Sequence, residues 1–306
     1  MKFSMQNRRE MMLNGLRGLA GLAVGGCCEK ISCPLPKAKS CSAGFKLAIC
    51  DWTVGRIADL SAFDVVKRLG ADGIQVDFGM PDDDLPVLHK EGMKEKYVET
   101  SKSSGIAIAS FGMVALGWAP YKSDPRWEQW LGEGIDAAGS MGVGIILVPF
   151  FGAGDLAVDA EGRAILAGRL KNLAPKAEKA GVVLGLESWM SDEQDMEVIE
   201  NVGSPAVKVY YDVGNSKKKG YDIYKEIGVL GKQICQFHMK DYGNQEFGKG
   251  EIDFKRIRSV MDDIGYRGWI VFESSKWEPA KPISAEEEAV FAKNVEYLRG
   301  IFPRRV

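Results

Sequence analysis

The chain has 306 residues, of which 45% are hydrophobic and 27% are charged. That composition is typical of a globular protein with a large core, and the length suits one α/β barrel of ~250 residues plus an additional segment. The formal net charge is −2, so the chain lacks the excess of lysine and arginine that binds the phosphates of nucleic acids or anionic membranes. We therefore expect no nucleic-acid partner.

The first 45 residues differ in character from the rest. A polar start with Arg8 and Arg9 precedes a short stretch rich in Gly, Ala and Leu. This pattern resembles a twin-arginine export signal, although Asn7 stands where Ser or Thr is usual. The resemblance implies export to the periplasm or cell envelope. An amphipathic terminal helix on a cytoplasmic protein is the alternative, and the stretch, interrupted by Arg17, is too short to span a bilayer.

Four of the six cysteines follow this stretch closely, at Cys27, Cys28, Cys33 and Cys41. In an oxidising compartment they could form disulfides, whose pairing the sequence does not define. The segment that ends at Cys27 also resembles a lipoprotein processing site, which would make Cys27 a lipid anchor. A zinc site is disfavoured because no CxxC pair and no nearby histidine is present.

From residue 46 to 306 the sequence alternates short apolar runs with amphipathic segments of helical period, and we predict one (β/α)8 barrel domain there. The runs are rich in Val, Ile, Leu and aromatic residues, as expected for strands covered on both faces. The eight predicted strands are Leu47–Asp51, Gly73–Phe78, Ile106–Phe111, Gly144–Pro149, Val182–Glu187, Val207–Asp212, Ile234–His238 and Trp269–Glu273.

Three predicted helices have N-terminal capping signals. Asp253 precedes an apolar stripe that starts at Phe254, and Ser284 with Glu287 has the spacing of a capping box. Ser61 with Asp64 is a weaker version of the same pattern.

The last four predicted strands each end on a residue that binds hard divalent metals. These residues are Glu187, Asp212, His238 and Glu273. The carboxyl ends of parallel strands meet at one mouth of a barrel, so the four side chains should converge there. Three carboxylates and one imidazole suit Mn²⁺ first, with Mg²⁺, Co²⁺ or Zn²⁺ as alternatives. Taken singly, each residue would more often be a structural cap or ion-pair partner, but four in a row at equivalent strand ends are much harder to explain that way.

The motifs around these residues resemble the xylose-isomerase-like superfamily of TIM-barrel sugar phosphate isomerases and epimerases. They are GLES at Glu187, YYDVGN at Asp212, FHMKD at His238, GKGEIDF at Gly248–Phe254 and VFES at Glu273. The resemblance implies one divalent metal held by the four residues. It also implies a sugar isomerase or epimerase that abstracts an α-proton through a metal-stabilised enediolate, with Glu187 and Glu273 as the acid/base pair on opposite faces of the substrate.

Two departures from the sugar 3-epimerases of this superfamily concern substrate contacts. Asn215 stands where they usually carry a histidine, and Lys240 is the only cation near the place of their arginine. Asn215, Lys240 and Trp52 are the predicted substrate-binding residues. Lys240 could equally form a loop ion pair with Asp241.

Weaker candidates lie at other strand ends and could equally pack the barrel top; they are Asp77, Phe111, Phe150 and Trp277. Gln75 should point into the barrel, and His89 is predicted to be a surface or capping histidine. The short basic run Lys217–Lys219 is predicted to lie in a solvated loop.

Three functions remain open on the sequence. The first is a metal-dependent isomerase or epimerase of a small carbohydrate. The second is a metal-dependent lyase of the inosose-dehydratase kind, and the third is an exported sugar-binding barrel without catalysis. A DNA-cleaving relative of the same barrel is disfavoured, since that branch needs more metal histidines than the two present. The oligomeric state, including a homo-oligomer, is open.

Overall fold

The computed structural model describes residues 44–79, 87–117, 121–276, 278 and 281–304. The predicted export signal, Cys27 with its neighbouring cysteines, and Trp277 lie outside these residues. Eight parallel strands close into a barrel in sequence order, because the first strand pairs with both the second and the eighth. The strands are β1 (Lys46–Cys50), β2 (Gly73–Asp77), β3 (Ala107–Gly112), β4 (Ile145–Phe150), β5 (Val183–Ser188), β6 (Val207–Asp212), β7 (Ile234–Met239) and β8 (Trp269–Phe272).

Helices follow the strands and cover the outside of the barrel. They are α1 (Ala62–Arg68), α2 (Met93–Ser104), α3 (Pro125–Met141), α4 (Ala160–Ala180), α5 (Asp192–Val202), α6 (Val213–Lys218), α7 (Ile223–Leu230), α8 (Phe254–Asp263) and α9 (Ala285–Ile301). Within the described residues, no helix is long and apolar enough to cross a membrane.

The predicted barrel is confirmed, and each strand agrees with its predicted range to within one residue at either end. Asp253 caps α8, because its carboxylate accepts hydrogen bonds from the backbone N–H groups of Lys255 and Arg256. Ser284 forms the predicted capping box with Glu287. The cap at Ser61 is wrong, because its hydroxyl accepts a 2.8 Å hydrogen bond from Arg56 instead of a helix N–H. The basic run is also not a loop, since Lys217 and Lys218 form the last turn of α6.

The apolar core has two layers that follow from the alternation of side chains along the strands. In β1, Leu47 and Ile49 belong to the layer between strands and helices, whereas Ala48 and Cys50 belong to a smaller cluster inside the barrel. The barrel interior also holds polar side chains, with Gln236 donating a 3.2 Å hydrogen bond to Ser110. A polar layer is therefore present below the mouth.

Two buried aspartates organise the turns after β1 and β2. The Asp51 carboxylate accepts hydrogen bonds of 2.9 Å from the backbone N–H groups of Ala58 and Asp77. Asp77 accepts hydrogen bonds from the backbone of Gly79 and Val114. Burial raises the pKa of Asp77 to about 7, and burial together with the Asp77 charge raises the pKa of Asp51.

These raised pKa values predict a stability that depends on pH. The folded chain holds the protons more tightly than the unfolded chain, so the stability they confer is present below about pH 4 and is lost as the pH rises through about 7. Asp51→Asn keeps an acceptor for the two N–H groups and removes one buried charge. We expect its free energy of unfolding to fall less between about pH 5 and about pH 8 than that of the wild type.

Urea unfolding at a series of pH values measures this difference. Asp64→Asn, at an exposed position of α1, is the matched control and should keep the wild-type slope. Equal slopes for Asp51→Asn and the wild type would contradict the account.

Candidate metal centre

Four strand ends bring the predicted metal ligands together. Glu187 lies near the end of β5, Asp212 ends β6, His238 is the last residue but one of β7, and Glu273 directly follows β8. Asp212 and His238 are register partners on neighbouring strands. All four side chains are buried, and one ligand atom from each lies within 4.8 Å of the others. The barrel mouth thus holds the cluster that the sequence predicted.

The imidazole of His238 is at the centre of this cluster. Its Nδ1 atom lies 3.0 Å from Glu187 Oε1, 3.3 Å from Glu273 Oε2 and 3.7 Å from Asp212 Oδ2. Three carboxylates therefore face a single ring nitrogen.

Gln75 on β2 orients this imidazole from below. Its side-chain oxygen lies 2.7 Å from His238 Nε2 and also accepts hydrogen bonds of 3.2 Å from Tyr210 and Cys50. An amide oxygen only accepts, so His238 Nε2 carries the hydrogen and the lone pair of neutral His238 is on Nδ1, facing the carboxylates. The predicted inward direction of Gln75 is confirmed, and its contact with His238 is new.

Lys240 belongs to the cluster and not to a loop ion pair. Its buried ammonium lies 2.9 Å from Asp212 Oδ2 and 2.5 Å from Glu273 Oε2. Asp241 accepts hydrogen bonds from the backbone of Gly243 and Ile252. A Cβ atom at Gly250 would collide with the Asp241 carboxylate. Gly250 thus leaves room for the Asp241 carboxylate, whose hydrogen bonds fix the loop of the GKGEIDF motif.

Asn215 and Trp52 each hold a glutamate of the cluster. The Asn215 amide donates to Glu187 Oε1 at 3.3 Å, and its oxygen accepts from Tyr242 at 3.0 Å and from Lys240 at 3.4 Å. The Trp52 indole donates a 2.8 Å hydrogen bond to Glu273 Oε1. The structure places all three predicted substrate residues beside the ligands.

Burial and charge move the pKa values of the two glutamates in opposite directions. Burial raises the pKa of Glu187 to about 7 despite the neighbouring His238. Burial also disfavours the ionised form of Glu273, but Lys240 and His238 outweigh it, and its pKa is lowered. The same balance lowers the pKa of Asp212. Glu187 therefore tends to hold a proton that Glu273 releases.

The cluster fits a divalent cation. With His238 neutral and the three carboxylates ionised, the carboxylates and Lys240 carry a net charge of −2, and a buried charge of this size requires compensation. The two oxygens that face the centre, Asp212 Oδ2 and Glu273 Oε2, share the Lys240 ammonium, so one positive charge serves two carboxylates. Glu187, Asp212, His238 Nδ1 and Glu273 are the residues that would hold the ion.

Other strand-end candidates lie outside the cluster. Asp77 holds backbone turns, Phe111 packs in the outer core, and Phe150 packs against Tyr121. His89 is half-buried and lies 3.3 Å from Glu133. Gln75 and Tyr242 are the neighbours of the cluster whose contacts sequence reasoning missed. Gln75 had a weak signal as a polar residue within an apolar strand.

A closed eight-stranded parallel barrel with this mouth is the architecture of a TIM-barrel protein. Residues 63–301 match the family model described as xylose isomerase-like TIM barrel, and the chain belongs to that family.

Two curated relatives are epimerases. Over 178 residues the chain is 26% identical to 2-epi-5-epi-valiolone 7-phosphate 2-epimerase of an Actinoplanes species, across 58% of this chain and 65% of that protein. It is 25% identical over 112 residues to D-psicose 3-epimerase of Enterocloster bolteae, across 34% of this chain and 37% of that protein. The chain thus spans less than two thirds of each relative.

Solved epimerases share the fold. The structure of D-psicose 3-epimerase with D-tagatose from Clostridium cellulolyticum superposes with a TM-score of 0.70 at 15% identity, covering 84% of this chain and 99% of that one.

Removal of the Gln75 hydrogen bond should weaken metal binding. Gln75→Met keeps the approximate side-chain volume but removes the hydrogen bond that fixes the tautomer of His238. Loss of such a supporting contact costs ~10–100-fold in metal affinity. We expect this loss for Mn²⁺ measured by calorimetry. The ¹⁵N NMR spectrum of the imidazoles should lose the Nε2–H form of His238. Only two histidines contribute.

Gln236→Met is the matched control, because Gln236 lies in the same polar layer and bonds Ser110. It should keep both the Mn²⁺ affinity and the imidazole spectrum. Unchanged affinity in Gln75→Met would show that Gln75 does not position His238.

Metal binding should release protons. Burial disfavours charged His238, but neighbouring acidic groups outweigh it and raise its pKa, while the pKa of Glu187 is raised to about 7. Both groups must lose their protons to bind a cation, so the affinity should fall as the pH decreases from about 8 to about 6. Calorimetry in two buffers with different ionisation enthalpies counts the released protons. A count of zero at about pH 6 would contradict this electrostatic account.

Proposed function

We propose that the chain is a divalent-metal-dependent epimerase or isomerase of a carbohydrate. The observation that carries this proposal is the buried cluster of Glu187, Asp212, His238 and Glu273, in which two glutamates approach from different strands. The epimerase relatives support the same reaction class. Mn²⁺ is the proposed ion, because most of the donors are carboxylate oxygens.

When bound, the ion supplies positive charge that acidifies the hydrogen on the carbon next to the substrate carbonyl. Glu187 and Glu273 then provide the proton transfers. They project from β5 and from the end of β8, which are separated by β6 and β7, so they reach the centre from different sides. This arrangement suits removal of a proton from one face of a carbon and return to the other.

Glu187 and Glu273 form the proposed acid/base pair, and the direction of the reaction decides which of them removes the proton and which returns one. Trp52 keeps Glu273 oriented through its Oε1 atom, which leaves Oε2 to face the centre.

Lys240 and Asn215 are the proposed substrate-binding residues. Lys240 brings a positive charge and Asn215 brings an amide to the edge of the cluster. Hydrogen bonds from these groups to substrate hydroxyl or carbonyl oxygens would hold the reacting carbon between the two glutamates. Both residues differ from those of the sugar 3-epimerases that the motifs resemble, so the sugar itself is not assigned by this pair.

The cell envelope is the proposed location, on the strength of the twin-arginine-type sequence alone. A protein exported there would meet sugars that carry no phosphate.

Substitution of either glutamate should slow the transfer of a proton between the two faces of the reacting carbon. Glu187→Gln and Glu273→Gln remove a proton-transfer group while keeping its size, which should slow the reaction by ~10²–10⁴-fold. The measurement is deuterium incorporation by NMR, with Mn²⁺-loaded protein in D₂O and a panel of ketoses, aldoses and inososes. Glu200→Gln, at an exposed position of α5, is the control and should exchange at the wild-type rate.

Analysis of the reaction products distinguishes the alternative reactions. Deuterium incorporation without loss of mass supports an epimerase or isomerase, whereas loss of water identifies a lyase. Exchange at the wild-type rate in both glutamate variants would overturn the proposed acid/base pair. Sugar binding by wild-type protein without exchange across the panel would favour a binding protein.

A further inference from the structure

A cavity of about 280 Å³ lies beside the metal centre, at the ends of β3 and β4. Its walls include Leu116, Tyr121, Lys122, Pro149, Phe151 and Asp159. None of the four predicted metal ligands is among its described lining residues. The cavity is therefore separate from the place where the reacting carbon would bind.

The strand register shows how near the two places are. Pro149 on β4 is the register partner of Glu187 on β5. Adjacent strands are ~4.8 Å apart, and register partners on parallel strands project to the same side of the sheet. The cavity thus begins one strand away from Glu187, a member of the proposed acid/base pair, and a substrate larger than one ring could extend into it.

The walls combine apolar surface with hydrogen-bonding groups. Phe151 contributes an aromatic ring, which lies 5.3 Å from the ring of Trp189 at the end of β5. On the other side, Tyr121 donates a 2.9 Å hydrogen bond to Asp159, which also pairs with Lys122. A sugar ring presents apolar C–H faces and a rim of hydroxyl groups, and it matches both kinds of wall.

The charge and the volume of the cavity restrict the chemical class of its ligand further. Lys122 and Asp159 are the charged side chains among the described lining residues, and they neutralise each other, so these walls have no excess positive charge to favour a phosphate or carboxylate. The cavity volume of about 280 Å³ is near the lower limit of ~300 Å³ for small-molecule pockets, which suits one ring.

We propose that this cavity is a second sugar subsite, and that the substrate is a glycoside or disaccharide. Its reacting ring lies at the metal centre and its second, uncharged ring occupies the cavity. The position of the reacting ring rests on the proposed function, whereas binding of the second ring does not.

The first test compares D-fructose with the ketose disaccharides isomaltulose, maltulose and lactulose, by calorimetry on Mn²⁺-loaded protein. At least one disaccharide should bind about tenfold or more tightly than fructose, a ratio that corresponds to ~1.4 kcal/mol. Phe151→Ala removes the aromatic wall, and Ala153→Trp fills the cavity from its exposed edge. Both should bring the ratio close to one.

Val158→Ala is the matched control, because Val158 is an exposed residue of the same β4–α4 connection and does not line the cavity. It should keep the wild-type ratio. A ratio near one in the wild-type protein for all three disaccharides would overturn the proposal.

The second test does not depend on the metal. Saturation-transfer NMR on EDTA-treated protein should detect methyl α-D-glucoside or methyl β-D-galactoside, with the signal lost in Ala153→Trp and kept in Val158→Ala. Absence of signal for both glycosides would overturn the subsite and leave the proposed function standing. Glycoside binding without deuterium exchange of any ketose would support the subsite and contradict the proposed function alone.

Discussion

Three carboxylates packed around one imidazole nitrogen set the main constraint on this barrel. Their charges are buried, and Lys240 compensates for only one of them. With His238 neutral and the three carboxylates ionised, a divalent cation would bring the sum to zero. Neighbouring residues hold the donors in place: Gln75 fixes the imidazole, Trp52 holds Glu273, and Asn215 holds Glu187.

The barrel satisfies this constraint because its parallel strands end at a common mouth. Small residues then allow the close approach that the cluster requires. A Cβ atom at Gly214 would lie 2.9 Å from Lys240, and one at Gly112 would lie 2.7 Å from the Trp52 ring. The YYDVGN motif therefore combines a candidate metal ligand, Asp212, with a glycine that leaves room for the buried Lys240 and with Asn215, whose amide reaches Glu187.

Most of the fold could be predicted from sequence, since buried parallel strands are short apolar runs and the ligands end four of them. The contacts between strands could not. Gln75 and His238 are 163 residues apart, and no local pattern pairs them. The sequence offered Asp241, the next residue, as an ion-pair partner for Lys240. The partners in the structure are Asp212 and Glu273, which the closed barrel brings to the Lys240 ammonium. The predicted helix cap at Ser61 is absent because the Ser61 hydroxyl accepts a hydrogen bond from Arg56 instead.

The central claim is that Glu187, Asp212, His238 and Glu273 hold one divalent ion. Anomalous diffraction at the manganese edge, from crystals grown with Mn²⁺, tests it directly. The account predicts one peak within coordination distance of His238 Nδ1 and of all three carboxylates, with Nε2 still bonded to Gln75. A peak elsewhere in the protein, or a cluster without manganese at saturating Mn²⁺, would contradict it.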